Sequence, residues 1–289
     1  MNLPDVAGVA FTGSTAVAKS IARALAAKPG PIVPLIAETG GVNAMLVDST
    51  ALPEQVVDAV VQSAFRSAGQ RCSSLRLLCL HEAIADRVLT MLRGAAAELH
   101  CGDPAAFTTD VGPLIDDEAF GRITAYLRQQ PTAQALTVQI TPGTPQLLVP
   151  HWVEVNEVKD AGEEIFGPVL HVMRWQGSAH ALIDQINAQG HGLTFGIQTR
   201  IESRACEWAS RIRAGNVYVN RNMIGAVVGL QPFGGRGLSG TGPKAGGPNY
   251  LRHFCTEQTI TINTAAAGGN AQLLGGGDDG INPVAGGGA

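Results

Sequence analysis

PEQVVDAVVQSAFRSAGQRCSSLRLLCL, residues 53–80, decides the fold class. Val56, Val57, Val60, Val61, Ala64 and Phe65 recur at helical spacing, which predicts a helix over 53–68 that stops at Gly69. An apolar strand is predicted over 75–80, and the loop between them carries Cys72. The same alternation runs outward in both directions. Upstream, a strand over 6–11 meets the turn Thr12-Gly13-Ser14 and a helix over 15–27, which Lys28-Pro29-Gly30-Pro31 stops. A strand over 32–37 then ends at Glu38-Thr39-Gly40-Gly41, and another covers 43–47. Downstream come helices over 83–99 and 118–129, an extended stretch over 146–155, a helix over 179–188, a strand over 193–198, a helix over 202–213 and a strand over 216–220. Strands that alternate with helices predict an α/β fold with a largely parallel sheet.

Bulk composition narrows the function classes. Of 289 residues, 45% are hydrophobic and 15% charged, so a packed core is feasible. Net charge is −4 with no Lys/Arg cluster, which predicts no nucleic-acid partner. No apolar run reaches the roughly 20 residues of a membrane span, and residues 1–13 lack the pattern of a secretory signal. Five cysteines, an odd number without paired spacing, predict reduced thiols and a cytoplasmic setting. Seven scattered histidines, with no HxxxH or CxxC cluster, predict no metal site. Residues 268–289 are rich in glycine and are expected to form a flexible tail.

Cys72 stands out among the thiols. Its neighbours in Ser67-Ala68-Gly69-Gln70-Arg71-Cys72-Ser73-Ser74 are small or polar, so a carbonyl could reach it. Most lone cysteines are buried structural thiols, and Cys79, in an apolar strand, fits that description better. Glu38 lies at the C-terminal edge of a strand, where open α/β sheets place ligands, although many such acids are merely solvated. A thiol and a carboxylate make a workable pair, because the sulfur attacks a carbonyl and the acid later activates water against the thioester. The Gly13-Ser14 turn opens a helix whose free N–H groups and dipole suit a pyrophosphate. Two further stretches, Glu163-Glu164-Ile165-Phe166-Gly167-Pro168 and Gln231-Pro232-Phe233-Gly234-Gly235, could be ordinary loops.

Taken in order, FTGST, AETGG, GQRCS, EEIFGP and QPFGG resemble the aldehyde dehydrogenase superfamily over residues 6–267. Within it, the chain is similar to 1-pyrroline-5-carboxylate (L-glutamate γ-semialdehyde) dehydrogenases, including the C-terminal part of bifunctional proline utilization A enzymes. AETGGVNAMLVDSTALPEQVV and GNVYVNRNMIGAVVGLQPFGGRGLSGTGPKAGGPNYL carry that closer likeness. The resemblance implies an aldehyde dehydrogenase-like catalytic domain preceded by only the last strand–helix units of a Rossmann-like cofactor domain. It divides the chain into 1–38 (cofactor-domain remnant), 39–254 (catalytic domain), 255–267 (an oligomerisation strand, chiefly 258–263) and 268–289 (tail).

The resemblance also implies roles. Cys72 is the nucleophile and Glu38 the general base. Gly13, Ser14, Thr39, Glu164 and Phe166 serve NAD, with Glu164 on the nicotinamide ribose. Ser73 and the N–H groups of Gly225 and Ala226 hold the substrate carboxylate, and Phe233 packs on its methylenes. The implied reaction oxidises the semialdehyde to L-glutamate in proline catabolism, within a homo-oligomer when the enzyme is complete. Relatives place most of the cofactor domain ahead of FTGST, so this chain is expected to be a truncated part with little turnover alone. Two alternatives stay open: another aldehyde dehydrogenase, such as one for succinate semialdehyde, or a non-catalytic structural relative.

Overall fold

The computed structural model describes residues 5–227 and 229–263. Its elements run β1 (Val9–Gly13), α1 (Thr15–Ala27), β2 (Leu35–Thr39), β3 (Ala44–Val47), α2 (Pro53–Phe65), β4 (Leu77–His81), α3 (Glu82–Ala97), β5 (His100–Cys101), α4 (Asp117–Gln129), β6 (Ala133–Ala135), β7 (Gln139–Ile140), β8 (His151–Val155), β9 (Val169–Trp175), α5 (Ala179–Ala188), β10 (Thr194–Gln198), α6 (Glu202–Arg211) and β11 (Asn216–Val219). Seven strands form the main sheet in the order β11-β10-β3-β4-β9-β8-β6. Every neighbouring pair is parallel except β6 with β8. β1 and β2 form a separate parallel pair, and β5 and β7 another.

Alternating side chains explain why the sheet is buried on both faces. Met45, Val47, Leu78, Leu80, Leu170 and Val172 point into one core with α2 and α3 residues such as Val56, Val60, Val88 and Leu92. Ala44, Leu46, Leu77, Cys79, Phe195 and Ile197 point into the other, with Leu182, Ile183, Ala205 and Trp208 of α5 and α6. Cys79 is fully buried, and burial pushes its thiol up to about 12, so it is a structural thiol.

Several boundaries differ from the sequence expectations for physical reasons. β9, near the middle of the sheet, is absent from the predicted strands. Arg174 and His171 interrupt its apolar run, and His171 is nevertheless buried, with Tyr126 Oη 2.6 Å from its Nε2. The second strand begins at Leu35 and includes Glu38 and Thr39, while Ile32 is fully exposed. Helix α2 stops at Phe65, because Ser67 and Ala68 adopt left-handed backbone (φ 55° and 51°). That conformation is costly for residues with a Cβ, and it turns the chain from α2 into the Cys72 loop.

The described residues through Phe254 form one compact unit, with no division after residue 38. Those from Cys255 onward form a second unit. No strand forms over 258–263, where one was expected, since a strand needs a partner for its backbone groups. The expected tail, 268–289, lies outside the described residues. Among the described residues, no helix is long and apolar enough to cross a membrane.

Candidate active site

Two sheet edges meet at one cavity. Glu38 is near the C-terminal end of β2, as open α/β sheets favour, whereas Cys72 precedes β4 at the N-terminal edge of the main sheet. The cavity between them measures about 600 Å³. Gly13, Ser14, Glu38, Thr39, Cys72, Glu164, Phe166 and Phe233 all line it, so eight of the eleven residues expected at the site come together. Ser73, Gly225 and Ala226 do not belong to that lining.

The loop that carries Cys72 is held from below. Asn43 Nδ2 donates to the carbonyls of Cys72 (2.6 Å) and Ser74 (2.9 Å), and its Oδ1 accepts from Thr194 N (3.1 Å). Thr194 Oγ1 donates to the Ser73 carbonyl at 3.2 Å. These bonds use the buried start of β3 and β10 as a clamp, which removes loop freedom around the Cys72 sulfur. Burial raises the Cys72 thiol above its ordinary range, and the charges of Glu164 and Glu38 raise it further, while the N–H groups of Ser73 and Cys72 itself oppose the shift.

Glu38 is held more loosely. Gly235 N donates to its Oε2 at 2.8 Å, and its buried Oε1 has no partner. Burial pushes its carboxyl up to about 7, against the pull of the Gly235 N–H and the Lys244 charge. The 233–241 loop folds over the end of β2, with Thr241 N donating to Ala37 O and Ala37 N to Thr241 Oγ1, each at 2.9 Å. Asn216 fixes the Phe233 turn through Pro232 O (3.0 Å) and Gly234 N (3.2 Å). A Cβ on Gly234 would lie 2.6 Å from Glu38 Oε1, so only glycine leaves this acid room.

The opposite wall belongs to Glu164, which accepts from Gly41 N and lies 3.7 Å from Arg76 Nη2. A Cβ on Gly40 would overlap its carboxylate. Burial raises the Glu164 carboxyl, and Arg76 pulls it back. Ser14, also in the lining, caps α1 by accepting from Val17 N at 3.3 Å, so the N-terminus of α1 borders the cavity. Thr39 Oγ1 is spent on Leu238 O (2.6 Å).

Sequence reasoning does not single out Asn43, Arg76, Thr194 or Asn216. Asn43 is visible there only as the start of a strand, and Arg76 only as a charge inside the strand predicted over 75–80. A charged or amide side chain entering a buried strand is the signal that could have found them, because such groups persist in cores only when bonded.

Residues 1–260 match the model of the aldehyde dehydrogenase family. Bifunctional protein PutA of Escherichia coli K12 is 51% identical over 261 residues, which cover 85% of this chain and 20% of that protein. The 1-pyrroline-5-carboxylate dehydrogenase of Geobacillus thermodenitrificans is 35% identical over 268 residues, covering 89% of this chain and 51% of that enzyme. Among solved structures, a mutant proline utilization A of Bradyrhizobium japonicum gives a TM-score of 0.86 at 57% identity, over 92% of this chain and 28% of the other. A 1-pyrroline-5-carboxylate dehydrogenase from Thermus with bound NAD gives 0.79 at 33% identity, over 88% and 50%. The chain therefore spans about a fifth of the first curated relative and about half of the second.

Proposed function

Since the chain belongs to the aldehyde dehydrogenase family, we propose that it carries the acyl-transfer site of an NAD-dependent L-glutamate γ-semialdehyde dehydrogenase. The observation that carries this reading is the shared cavity of Cys72, Glu38 and Glu164. The relatives named for PutA and 1-pyrroline-5-carboxylate dehydrogenase support the substrate.

The residues present fit the nicotinamide end of the cofactor. Glu164 Oε1 is buried without a hydrogen bond and can accept from a ribose hydroxyl, while Gly13 and Ser14 open the N-terminus of α1 for a phosphate. Phe166 gives that wall an apolar face. Bound there, the dinucleotide would supply the hydride acceptor that turns a thiohemiacetal into a thioester.

The chain's own residues perform the rest. Cys72 gives its proton to solvent water, and its sulfur bonds to the aldehyde carbon as the carbonyl π bond breaks and leaves the negative charge on oxygen. After oxidation, a water molecule gives a proton to Glu38 as its oxygen bonds to the thioester carbon. The carbon–sulfur bond then breaks, and the product leaves as a carboxylic acid. A carboxyl held near pH 7 suits this work, because it is part-ionised at neutral pH yet still basic enough to take the proton.

The substrate's carboxylate is assigned to Ser73 and the N–H groups of Gly225 and Ala226, with Phe233 over the methylenes. Supporting this, Asn222 Nδ2 donates to Gln62 Oε1 (3.0 Å) and Met223 N to Ser63 Oγ (2.9 Å). Ser63 O in turn accepts from Leu75 N at 3.0 Å. The 220–227 segment and the Cys72 loop thus share one support on α2.

Hydrolysis of p-nitrophenyl acetate needs only the acyl-transfer half and no cofactor, so it tests the pair directly. The chain is expected to release nitrophenol, and Cys72→Ala to abolish that release. Undiminished hydrolysis by Cys72→Ala would refute the reading. Substrate choice is read separately, in a protein that joins this chain to the cofactor-domain half its relatives carry, as NADH formed from L-glutamate γ-semialdehyde against succinate semialdehyde, and preference for the latter defeats the glutamate assignment.

A further inference from the structure

We propose that Arg76 is a positioning residue of this site, whose buried guanidinium ties Glu164 and its loop to the Cys72 loop and lets a thiolate form between two carboxylates. The inference rests on the roles proposed above for Cys72 and Glu164.

The geometry is specific. Arg76 is 1% exposed and lies immediately before β4. Nη1 donates to Gly167 O at 3.1 Å, and Nη2 donates to Arg71 O at 3.1 Å while facing Glu164 Oε1 at 3.7 Å. The guanidinium carbon stands 5.5 Å from the centre of the Phe166 ring. One planar fork therefore touches both ends of 164–167, the proposed cofactor wall, and the residue that precedes the nucleophile. Its own backbone is pinned, with N donating to Asn43 O (2.9 Å) and O accepting from His171 N (2.8 Å).

Charge around the sulfur gives this fork a task. Glu164 and Glu38 line one cavity with Cys72, their charges raise its thiol, and the Cys72 charge in turn acts on Tyr218, whose buried hydroxyl has no partner. A thiolate there would join two anions in a partly desolvated cavity. Lys244 lies on the Glu38 side, and Arg122, on the Glu164 side, is exposed and so screened by solvent. His171, beside Arg76, is pushed down to about 4 by burial and contributes no charge at neutral pH. Arg76 is the fully buried cation whose charge interacts with both Glu164 and Cys72. Its Nε is left without a partner. A buried guanidinium is costly, and its bonds to the two loop carbonyls and its pull on acid and thiol offset that cost.

Glue between loops and electrostatic support of the thiolate differ in one readout, the pH at which Cys72 becomes half-reactive. Iodoacetamide alkylation, followed by mass spectrometry of the Cys72 peptide, measures it without cofactor or substrate. Arg76→Met is expected to move that midpoint upward and to slow alkylation at pH 8, by about tenfold for a midpoint one pH higher. Arg76→Lys keeps the charge and is expected to stay near the wild-type midpoint while losing the fork. A folded Arg76→Met with an unchanged midpoint overturns the proposal. Should that variant not fold, the neutralised pair R76M/E164Q is compared with Glu164→Gln alone, and equal midpoints overturn it as well. Ester hydrolysis by the wild-type chain keeps the two readings apart. If it depends on Cys72 while the midpoints do not move, only the role of Arg76 fails.

Discussion

Glu38 and Asp48 are both carboxylates at the ends of neighbouring strands in sequence, yet their surroundings are opposite. Asp48, just after β3, is 2% exposed. Its oxygens accept from Thr50 Oγ1 (2.7 Å), from Thr199 Oγ1 (2.9 Å) and from Arg204 Nη1 (3.0 and 2.9 Å). Burial works against its ionised form, but those bonds outweigh it and hold the carboxyl below its ordinary range. Glu38 has one bond and one bare oxygen, so burial wins and raises it to about 7. Burial alone therefore decides neither direction; the number of donors does. A satisfied acid ties β3 to the β10–α6 connection, whereas an unsatisfied acid is kept ready for a proton.

Glu38→Gln should break the comparison most visibly. On the role proposed for Glu38, its loss should lower the rate of ester hydrolysis by about 10²–10⁴-fold, and the inflection near pH 7 should vanish from the hydrolysis profile. Stability should move the other way. The folded-state carboxyl is raised from 4.5 to about 7, so the folded chain holds a proton that the unfolded chain has already lost in that window. Ionising Glu38 thus opposes folding as pH rises through it, and the cost is complete above it. At pH 8 the Gln variant should melt higher than the wild type in scanning calorimetry; a lower Tm would show that the carboxylate is structural after all.

Asp48→Asn is the mirror experiment, with a smaller effect of the opposite kind. A depressed carboxyl stabilises the fold above its unfolded value of 3.8, and that contribution is lost as pH falls through the folded value. Loss of charge-assisted bonds costs on the order of 2 kcal/mol, which lowers Tm by about 2–4 °C per kcal/mol at this size. The ester-hydrolysis inflection should stay near pH 7. If it moves, the two acids are coupled and the contrast between them fails.

Much of the molecule is legible in the sequence, and what is not has a physical cause. The bounds of α1 can be read directly, because Ser14 and Lys28-Pro29 punctuate a regular apolar stripe. Cys72, Glu38, Glu164 and Phe233 are found as members of family motifs, and the structure brings all four to one cavity. β9 escapes because its buried His171 reads as polar until Tyr126 is seen beside it. The environment of Glu38 cannot be read from the sequence at all. Its donor, Gly235, and its cation, Lys244, lie some two hundred residues away in the chain, and only the closure of the 233–241 loop over β2 brings them near. Local patterns give elements and motif residues; the state of a titrating group depends on contacts made by the completed fold.

Lys244 supplies the finest test of that account. Its Nζ donates to Gly215 O, so its charge is fixed near Glu38 rather than free to swing away. It is the smallest of the three influences on Glu38, after burial and the Gly235 N–H, and it pulls the carboxyl downward. Lys244→Met should therefore raise the inflection above its present value of about 7. At pH 7 less Glu38 would be ionised, and hydrolysis should fall by a factor of about two to five, as expected for an inflection raised by less than one pH. At pH 9 the carboxylate is ionised with or without the lysine, and the two rates should converge. Equal loss at both pH values would mean that the lysine acts by bracing the Gly215 backbone, and that burial against one N–H bond alone sets the proton affinity of Glu38.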